Sequence, residues 1–384
     1  MSELMAVNPT ILKWARESIN LSIDEVALAI FQKIEKADIV KGWENGTLQP
    51  TYPKLEEIAK LYSRPTFIFF FPEPPEEDSP TTEFRSTVPS EYLDHLPPTI
   101  IKIFRKLKQY QFNLIELLEK HNGELDLFRN IQLDHDTSIP EIALILRDTM
   151  KIDIEVQKKM SCKEFFTYIR DSFNEHGIWV FTENFANNDF SGMCIYDPVY
   201  PVVMVNSVMS YQRKSFTLFH ELAHLLLDYS GLDVLGTNPY LRYRNNRYSS
   251  IEVLCNAFAG ECLVPKDYFT PYLKKTFDID SVKEIADRFS VSRAVILRKY
   301  LDHNMINQNE YSELIKKWDD SFEKRKQQSS KPLPIYYPTQ LSKMGKPYIE
   351  LAFRSYYDNR ITLDALASYL GMSKTNAIKL EGKI

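Results

Sequence analysis

The residues with the clearest chemical potential are His220 and His224, which lie four apart in RKSFTLFHELAHLLLD, residues 213–228. Residues four apart share one face of an α-helix, so the two imidazoles can bind one metal ion. Glu221 follows the first histidine, where a carboxylate can take a proton from a water held at that ion. The H-E-x-x-H pattern therefore predicts two metal ligands and a catalytic general base, Glu221. The alternative is a buried helix whose histidines are only hydrogen-bonded, since the flanking residues are largely apolar.

A hydrolytic zinc site needs a third protein ligand and leaves one position for water. Glu252 is the predicted ligand, because it falls in the first turn of a second apolar helix, where the helix dipole favours a carboxylate. Asn256, one turn further on, is predicted to hydrogen-bond to a ligand and fix its orientation. Cys255 is a competing ligand, although a thiolate would make a less usual hydrolytic set.

The composition bounds the class of protein. The chain has 384 residues with 44% hydrophobic side chains, enough for two or three domains with cores of their own, and its net charge of −5 argues against a nucleic-acid binder as a whole. It contains no apolar run of membrane-spanning length, and its start lacks the pattern of a signal peptide. Four cysteines without CxxC spacing indicate reduced thiols. We therefore expect a cytoplasmic protein with no membrane partner.

The run from PVVMVNS, through the H-E-x-x-H helix, to IEVLCNAFAGECLVP resembles the metallopeptidase domain of the ImmA/IrrE family. The family pattern is a strand, the H-E-x-x-H helix and then E-x-x-A-N-x-F-A ahead of a proline. The resemblance implies a zincin-like domain that holds Zn2+ on His220, His224 and Glu252. The chain departs from the pattern at Cys255, where the family usually has Ala, and at 260–262, but neither change touches a proposed ligand or the base.

The resemblance also implies a function. It suggests a zinc-dependent endopeptidase that cleaves a helix-turn-helix repressor or antitoxin and so relieves transcriptional repression during stress, DNA damage or mobile-element regulation. One alternative is a DNA-binding transcriptional regulator that uses the peptidase-like domain as a ligand or partner sensor. Another is an antitoxin-like binding protein with a dormant site.

The periodicity predicts a mostly helical α+β chain. Residues 1–70 are similar to the XRE-like helix-turn-helix domain that often precedes this peptidase domain, and a Pro-rich, acidic stretch at 71–97 indicates an extended linker. The peptidase domain is expected over 98–322, with a small β-sheet and a helix-turn-helix-like segment at 281–301. A basic linker at 323–347 and a small helical module at 348–384 complete the chain.

The N-terminal domain is a doubtful DNA reader on sequence grounds. Ala27 is followed four residues later by Phe31 rather than by the usual turn glycine. Residues 1–70 carry eight basic and nine acidic side chains, whereas a phosphate-binding domain needs a basic face. A protein-docking or regulatory role is favoured, with DNA binding left open.

Three strands are predicted just before the H-E-x-x-H helix, at 177–183, 191–197 and 201–207. The outer strand of such a sheet can pair with an extended substrate. The edge is predicted at 201–206, with Val203, Val205 and Asn206 contacting the substrate. The polar loop between the two zinc helices offers candidates for stabilising the oxyanion: Tyr240, Arg242, Tyr243, Arg244, Arg247 and Tyr248. His121 and His135 are predicted to be solvated.

Overall fold

The structure, a computed structural model, describes residues 4–118, 125–133, 138–234, 247–273, 277–326 and 336–382. Helices dominate the described residues, and four strands form one mixed sheet, which confirms the predicted α+β, mostly helical class. The chain divides into two compact units, Met1–Lys106 and Leu107–Ile384. No helix among the described residues is both long and apolar enough to cross a bilayer.

The first unit is helical. Its helices are α1 Pro9–Glu17, α2 Ile23–Phe31, α3 Ala37–Asn45, α4 Tyr52–Tyr62, α5 Pro80–Phe84, α6 Ser90–Leu93 and the start of α7 Pro98–Leu117. Ser22 and Glu25 form a reciprocal capping box at the start of α2. Arg16 of α1 donates to both carboxylate oxygens of Glu44 on α3, at 2.7 and 2.9 Å. This charge pair ties two helices together inside the unit.

The segment 71–97 is not an extended linker throughout. Its first part is mostly exposed, but from Pro80 onward it forms α5 and α6 and buries Phe84, Val88, Leu93 and Leu96. The Phe84 ring packs edge-on against Phe104 of α7, with centroids 5.5 Å apart. The Pro-rich, acidic composition describes only the exposed part, and the apolar residues after it fold into the first unit.

The second unit contains the sheet and the remaining helices. The strands are β1 Trp179–Glu183, β2 Phe190–Ile195, β3 Val202–Asn206 and β4 Gly231–Val234. The helices are α8 Asp126–Asn130, α9 Ile139–Thr149, α10 Ile154–Gln157, α11 Cys162–Glu175, α12 Tyr211–Leu226, α13 Arg247–Leu263, α14 Lys266–Phe269, α15 Ile279–Arg288, α16 Arg293–Asp302, α17 Gln308–Lys326, α18 Tyr336–Met344, α19 Lys346–Tyr357, α20 Leu363–Tyr369 and α21 Lys374–Glu381.

The strand order is β1-β3-β2-β4, which makes the predicted edge strand a central one. β3 pairs parallel with β1 and antiparallel with β2. Val203 and Val205 are fully buried, and the Asn206 amide donates to the carbonyls of Asn187 and Phe190 at 3.1 and 2.8 Å. The prediction that 201–206 binds an extended substrate is therefore wrong, because both sides of β3 are already paired. Among the described strands, the edges are β1 and β4.

The outer edge of β1 is covered by α18. Thr182 Oγ1 donates to the carbonyl of Ser342 at 2.8 Å, and Lys343 Nζ lies 2.9 Å from Glu183 Oε1. Neighbouring residues of a strand point to opposite faces, so a helix that contacts both lies along the edge. β4 is the edge that no described element pairs with on its outer side.

The C-terminal helices pack against the same strand. Tyr348 of α19 is fully buried, and its ring stands edge-on to those of Tyr110, Trp179 and Phe181 at centroid distances of 5.7, 6.3 and 5.1 Å. Its hydroxyl accepts a hydrogen bond from the Asn113 amide at 3.0 Å. The predicted C-terminal module is thus joined to the sheet by an aromatic cluster.

Tyr348→Ala is expected to lower the free energy of unfolding of the full chain by ~3–5 kcal/mol, because it removes a buried ring from this cluster and leaves a cavity. Urea unfolding followed by circular dichroism measures the loss. Tyr357 on the same helix is 55% exposed and its hydroxyl donates a surface hydrogen bond to Glu381, so Tyr357→Ala is the matched control and is expected to lower stability by about 1 kcal/mol or less. Similar losses in the two variants contradict the prediction.

The helix-turn-helix-like segment at 281–301 is built from α15 and α16, with Ser290 in the left-handed conformation (φ 54°) between them. Much of α16 is buried, including Ile296, Leu297 and Tyr300. Lys299 of α16 forms a buried ion pair with Glu261 of α13. These helices therefore support α13 from within the core.

Candidate metal centre

Helix α12 carries two of the predicted ligands through the middle of the second unit. It begins at the N-cap Ser210, whose hydroxyl accepts from the Arg213 amide at 3.2 Å. Its residues are apolar on nearly every side, so the helix is enclosed by other elements. His220, Glu221 and His224 are at most 1% exposed. The sequence thus places three ionisable side chains in a site largely shielded from solvent.

Helix α13 packs along α12 and brings Glu252 to the two histidines. Glu252 Oε2 lies 3.3 Å from His220 Nε2, and Glu252 Oε1 lies 3.3 Å from His224 Nε2. The two Nε2 atoms are 3.2 Å apart. Glu252 is 28 and 32 residues away from the two histidines in sequence. Each of the three side chains nevertheless directs one nitrogen or oxygen atom to the same point.

These distances fit a zinc ion. Ligand atoms about 2.0–2.1 Å from a tetrahedral Zn2+ lie about 3.3 Å from one another, close to the separations between the three side chains. Hydrogen bonding alone explains the arrangement less well. Glu252 could accept from both imidazoles only if both Nε2 atoms carried protons, and those N–H groups would then face each other across 3.2 Å. A cation between the side chains removes this conflict.

Glu252 is held as a carboxylate. Burial alone raises its pKa, but the His224 and His220 imidazoles outweigh that effect, and the pKa lies well below its usual range. A carboxylate that remains ionised at neutral pH is a suitable oxygen ligand for a divalent cation. Its environment therefore favours the form that binds metal.

Glu221 points from the same helix toward the sheet. Its carboxylate is fully buried, and neither oxygen has a nitrogen or oxygen partner among the described residues. The buried Cys194 thiol of β2 lies beside it as a weak donor and lowers its pKa in part. Burial is the main reason that its pKa rises to about 8 in the absence of a metal. Buried carboxylates normally have partners, so this one is open to a water or to a substrate proton.

Comparisons with known proteins agree with this geometry. Residues 173–300 match the family model of the IrrE N-terminal-like domain. These residues form an IrrE N-terminal-like domain. The matched part includes the sheet, α12, α13 and all three converging side chains.

Two relatives share the name radiation response metalloprotease IrrE. That of Deinococcus deserti is 34% identical over 99 residues, which are 25% of this chain and 34% of the relative. That of Deinococcus radiodurans is 32% identical over 104 residues, 27% of this chain and 31% of the relative. The chain thus spans about a third of the length of either relative. A Mycobacterium tuberculosis transcriptional regulator of solved structure is 14% identical with a TM-score of 0.30, over 51% of this chain and 52% of that one.

One polar cluster of the IrrE-like domain was not predicted from the sequence. Arg213 of α12 donates to Asp233 of β4 at 3.0 Å and to Ser191 of β2 at 3.2 Å, and Ser191 also donates to Asp233. Asp233 is close enough to raise the pKa of His220, against the opposing effect of that histidine's burial. The available signal was the position of Arg213, seven residues before His220 on the same helix face.

Several predicted residues lie elsewhere. Asn256 is half-buried on α13, and no hydrogen bond joins it to His220, His224 or Glu252, all of which are described. Cys255 is fully buried in the hydrophobic core and is not one of the converging residues. His121 and His135 lie outside the described residues. The same is true of the side chains of the six oxyanion candidates, which are Tyr240, Arg242, Tyr243, Arg244, Arg247 and Tyr248.

Lys214 of the IrrE-like domain is 8% exposed and has no acidic partner among the described residues; its ammonium lies 4.6 Å from the Tyr211 ring centroid. Burial is the main cause that lowers its pKa to about 8. Below pH 8 Lys214 is charged in both the folded and the unfolded protein, and burial of the charged ammonium lowers the stability of the folded protein. Between pH 8 and its ordinary pKa near 10.5 only the unfolded state keeps the proton, so stability rises with pH there.

Lys214→Met is therefore expected to raise the free energy of unfolding at pH 7 by on the order of 1–3 kcal/mol and to flatten its rise between pH 8 and 10. Urea unfolding at a series of pH values measures both effects. Lys163 is exposed on the neighbouring helix α11, so Lys163→Met is the matched control and should change neither. A Lys214→Met variant that is less stable at pH 7 contradicts the prediction.

Proposed function

We propose that this protein is a zinc-dependent metallo-endopeptidase, with His220, His224 and Glu252 as metal ligands and Glu221 as general base. One observation carries the proposal: three ligand atoms converge at 3.2–3.3 Å beside a buried carboxylate that has no nitrogen or oxygen partner among the described residues. The match to the IrrE N-terminal-like domain supports it, as does the metalloprotease name that both relatives carry.

The proposed mechanism gives the metal ligands and the general base different roles. Zinc, when bound, supplies Lewis acidity and lowers the pKa of a water molecule. His220, His224 and Glu252 fix its position from two helices that pack together. Glu221 accepts the proton of the attacking water and passes it to the amine that leaves, which requires the ionised carboxylate at the start of the reaction. A divalent cation held by the three ligands would favour that form, because its charge would lower the pKa of the Glu221 carboxyl group.

In this proposal the substrate binds as an extended peptide segment that adds a strand to the sheet. β4 leaves its outer side unpaired among the described strands, and it follows α12 directly in the chain. Adding a substrate strand at β4 satisfies backbone hydrogen bonds of both chains, whereas β3 is already paired on both sides. We therefore assign the substrate edge to β4 instead of the residues predicted from sequence.

The finer proposal names a helix-turn-helix repressor or an antitoxin in the cytoplasm as the substrate, whose cleavage relieves repression during stress. It rests on the resemblance to the ImmA/IrrE family. In this proposal, residues 1–70 are an XRE-like docking or regulatory domain. Their nearly balanced charge supports protein docking over DNA binding.

The test is mass-spectrometric mapping of new protein N-termini in host cells that express either the wild type or Glu221→Gln. A fragment that appears only with the wild type identifies the substrate and the cleaved bond. No difference between the two under several stresses contradicts the peptidase proposal and favours a regulator that senses a ligand or partner through this domain.

A further inference from the structure

Two glycines lie directly beneath the Glu221 carboxylate, one on each of the neighbouring strands β2 and β4. A Cβ atom added to Gly192 would lie 3.0 Å from Glu221 Oε1, and one added to Gly231 would lie 3.0 Å from Glu221 Oε2. Each carboxylate oxygen therefore faces its own glycine. Both separations are shorter than ordinary van der Waals contact between a methyl carbon and an oxygen.

A left-handed backbone does not explain either glycine, although the pairing of β2 with β4 shifts register between Phe190 and Gly192. Neither has a positive φ, unlike Gly46, Gly177 and Gly345 of the same chain. Glycine inside a strand weakens the strand and commonly marks a place where another group approaches closely. At both glycines the group that approaches belongs to α12. The closest atom to an added Cβ is Thr217 Cγ2 at Gly192 (2.4 Å) and His224 Cδ2 at Gly231 (2.7 Å), and a Glu221 oxygen follows at 3.0 Å in each case.

We propose that Gly192 and Gly231 are positioning residues for the general base and form a two-glycine seat for the Glu221 carboxylate. The inference rests on the proposed function for its catalytic meaning. A carboxylate that has no nitrogen or oxygen partner among the described residues, and only the weak Cys194 thiol donor beside it, depends on the shape of its surroundings for a fixed orientation. The two glycines leave room for the carboxylate against the sheet, and a methyl group at either position crowds it. At Gly231 a methyl group would also press on the His224 ring, so Gly192 is the position that tests Glu221 apart from the metal ligands.

A test at Gly192 must separate the close contact of the added methyl group with Glu221 from its close contact with Thr217. The added Cβ would also lie 2.4 Å from Thr217 Cγ2, so Gly192→Ala alone could disturb α12 as a whole. Thr217→Ser removes that methyl group. The test therefore compares four full-length proteins in the Thr217→Ser background: the parent, Gly192→Ala, Glu221→Ala and the double variant. Urea unfolding midpoints are measured for each, with zinc bound.

We expect Gly192→Ala to lower the midpoint when Glu221 is present and to lose at least half of that effect when Glu221 is Ala, because the carboxylate is then gone. Gly260 of α13 has no atom within 4 Å of an added Cβ, so Gly260→Ala is the matched control and should leave the midpoint unchanged or raise it. If Gly192→Ala lowers the urea midpoint equally with and without Glu221, the proposed two-glycine seat is overturned. This readout does not depend on any substrate.

The activity measurement then assigns the role. With a peptide that spans the mapped cleavage site, Gly192→Ala in the Thr217→Ser background is expected to lower kcat by about 10²-fold, with zinc content and KM nearly unchanged. Gly260→Ala in the same background should leave kcat unchanged. Loss of zinc, or a kcat for Gly192→Ala equal to that of Gly260→Ala, overturns the positioning role. If Glu221→Gln cleaves normally, the proposed function fails, while the unfolding comparison still reports on the seat.

Discussion

Glu221→Gln is expected to lower kcat for peptide cleavage by about 10²–10⁴-fold, the usual contribution of a general base. The substitution keeps the size and shape of the side chain but removes its capacity to accept a proton. Cleavage of a peptide spanning the mapped site, at saturating concentration, gives kcat directly. The loss should appear in kcat more than in KM, since the base acts on the water and on the leaving amine.

Measuring the zinc content of Glu221→Gln separates the loss of the general base from the loss of the metal site. Glu221 is not one of the three converging residues, so the variant should bind zinc as the wild type does. Its fold should also survive, because the carboxylate has no nitrogen or oxygen partner to lose among the described residues, and the amide oxygen of the introduced glutamine can still accept from the Cys194 thiol. A variant that holds zinc and keeps wild-type turnover removes Glu221 from the mechanism.

Removing zinc is expected to lower the free energy of unfolding by several kcal/mol. A ligand that binds only the folded state stabilises it by about 4 kcal/mol when its concentration is a thousand times Kd. The site brings together two buried histidines and a carboxylate from a different helix, an arrangement that unfolding destroys. Thermal or urea unfolding with and without a strong chelator measures the difference.

Glu252→Ala should abolish most of that difference, because two imidazoles remain as the only ligands from the converging set. Glu284, an exposed carboxylate on α15, provides the control: Glu284→Ala should respond to the chelator as the wild type does. If the chelator leaves the wild-type unfolding curve unchanged, or if Glu252→Ala still responds fully, these three residues do not form the metal site.

The sequence predicted the parts of the site that depend on helical spacing. His220 and His224 are one turn apart on a single helix, so their proximity follows from local geometry. Placing Glu252 also required two helices to pack together, and the apolar surfaces of α12 and α13 indicated that they would. The structure brings these three side chains within reach of one ion. Their role in binding zinc stays a prediction.

The order of strands in a sheet is not local, and the sequence did not reveal it. The run 201–207 was predicted to be a strand, but it pairs with β1 on one side and with β2 on the other. β4, a four-residue strand after α12, was not predicted, and so Asp233 and Gly231 were missed. Gly192 and Gly231 show no motif in sequence, because their meaning lies in the space that a side chain on another element occupies.

The contact of α18 with the outer edge of β1 has a consequence for the behaviour of shortened chains. An uncovered strand edge offers backbone donors and acceptors to another molecule and promotes aggregation. A fragment that ends before Tyr336 lacks the carbonyl of Ser342 and the Lys343 ammonium that contact Thr182 and Glu183. Its β1 strand would lose these contacts on its outer side, and we expect two such fragments to associate edge to edge. Helix α18 is therefore expected to keep the chain that contains it from self-association through this strand.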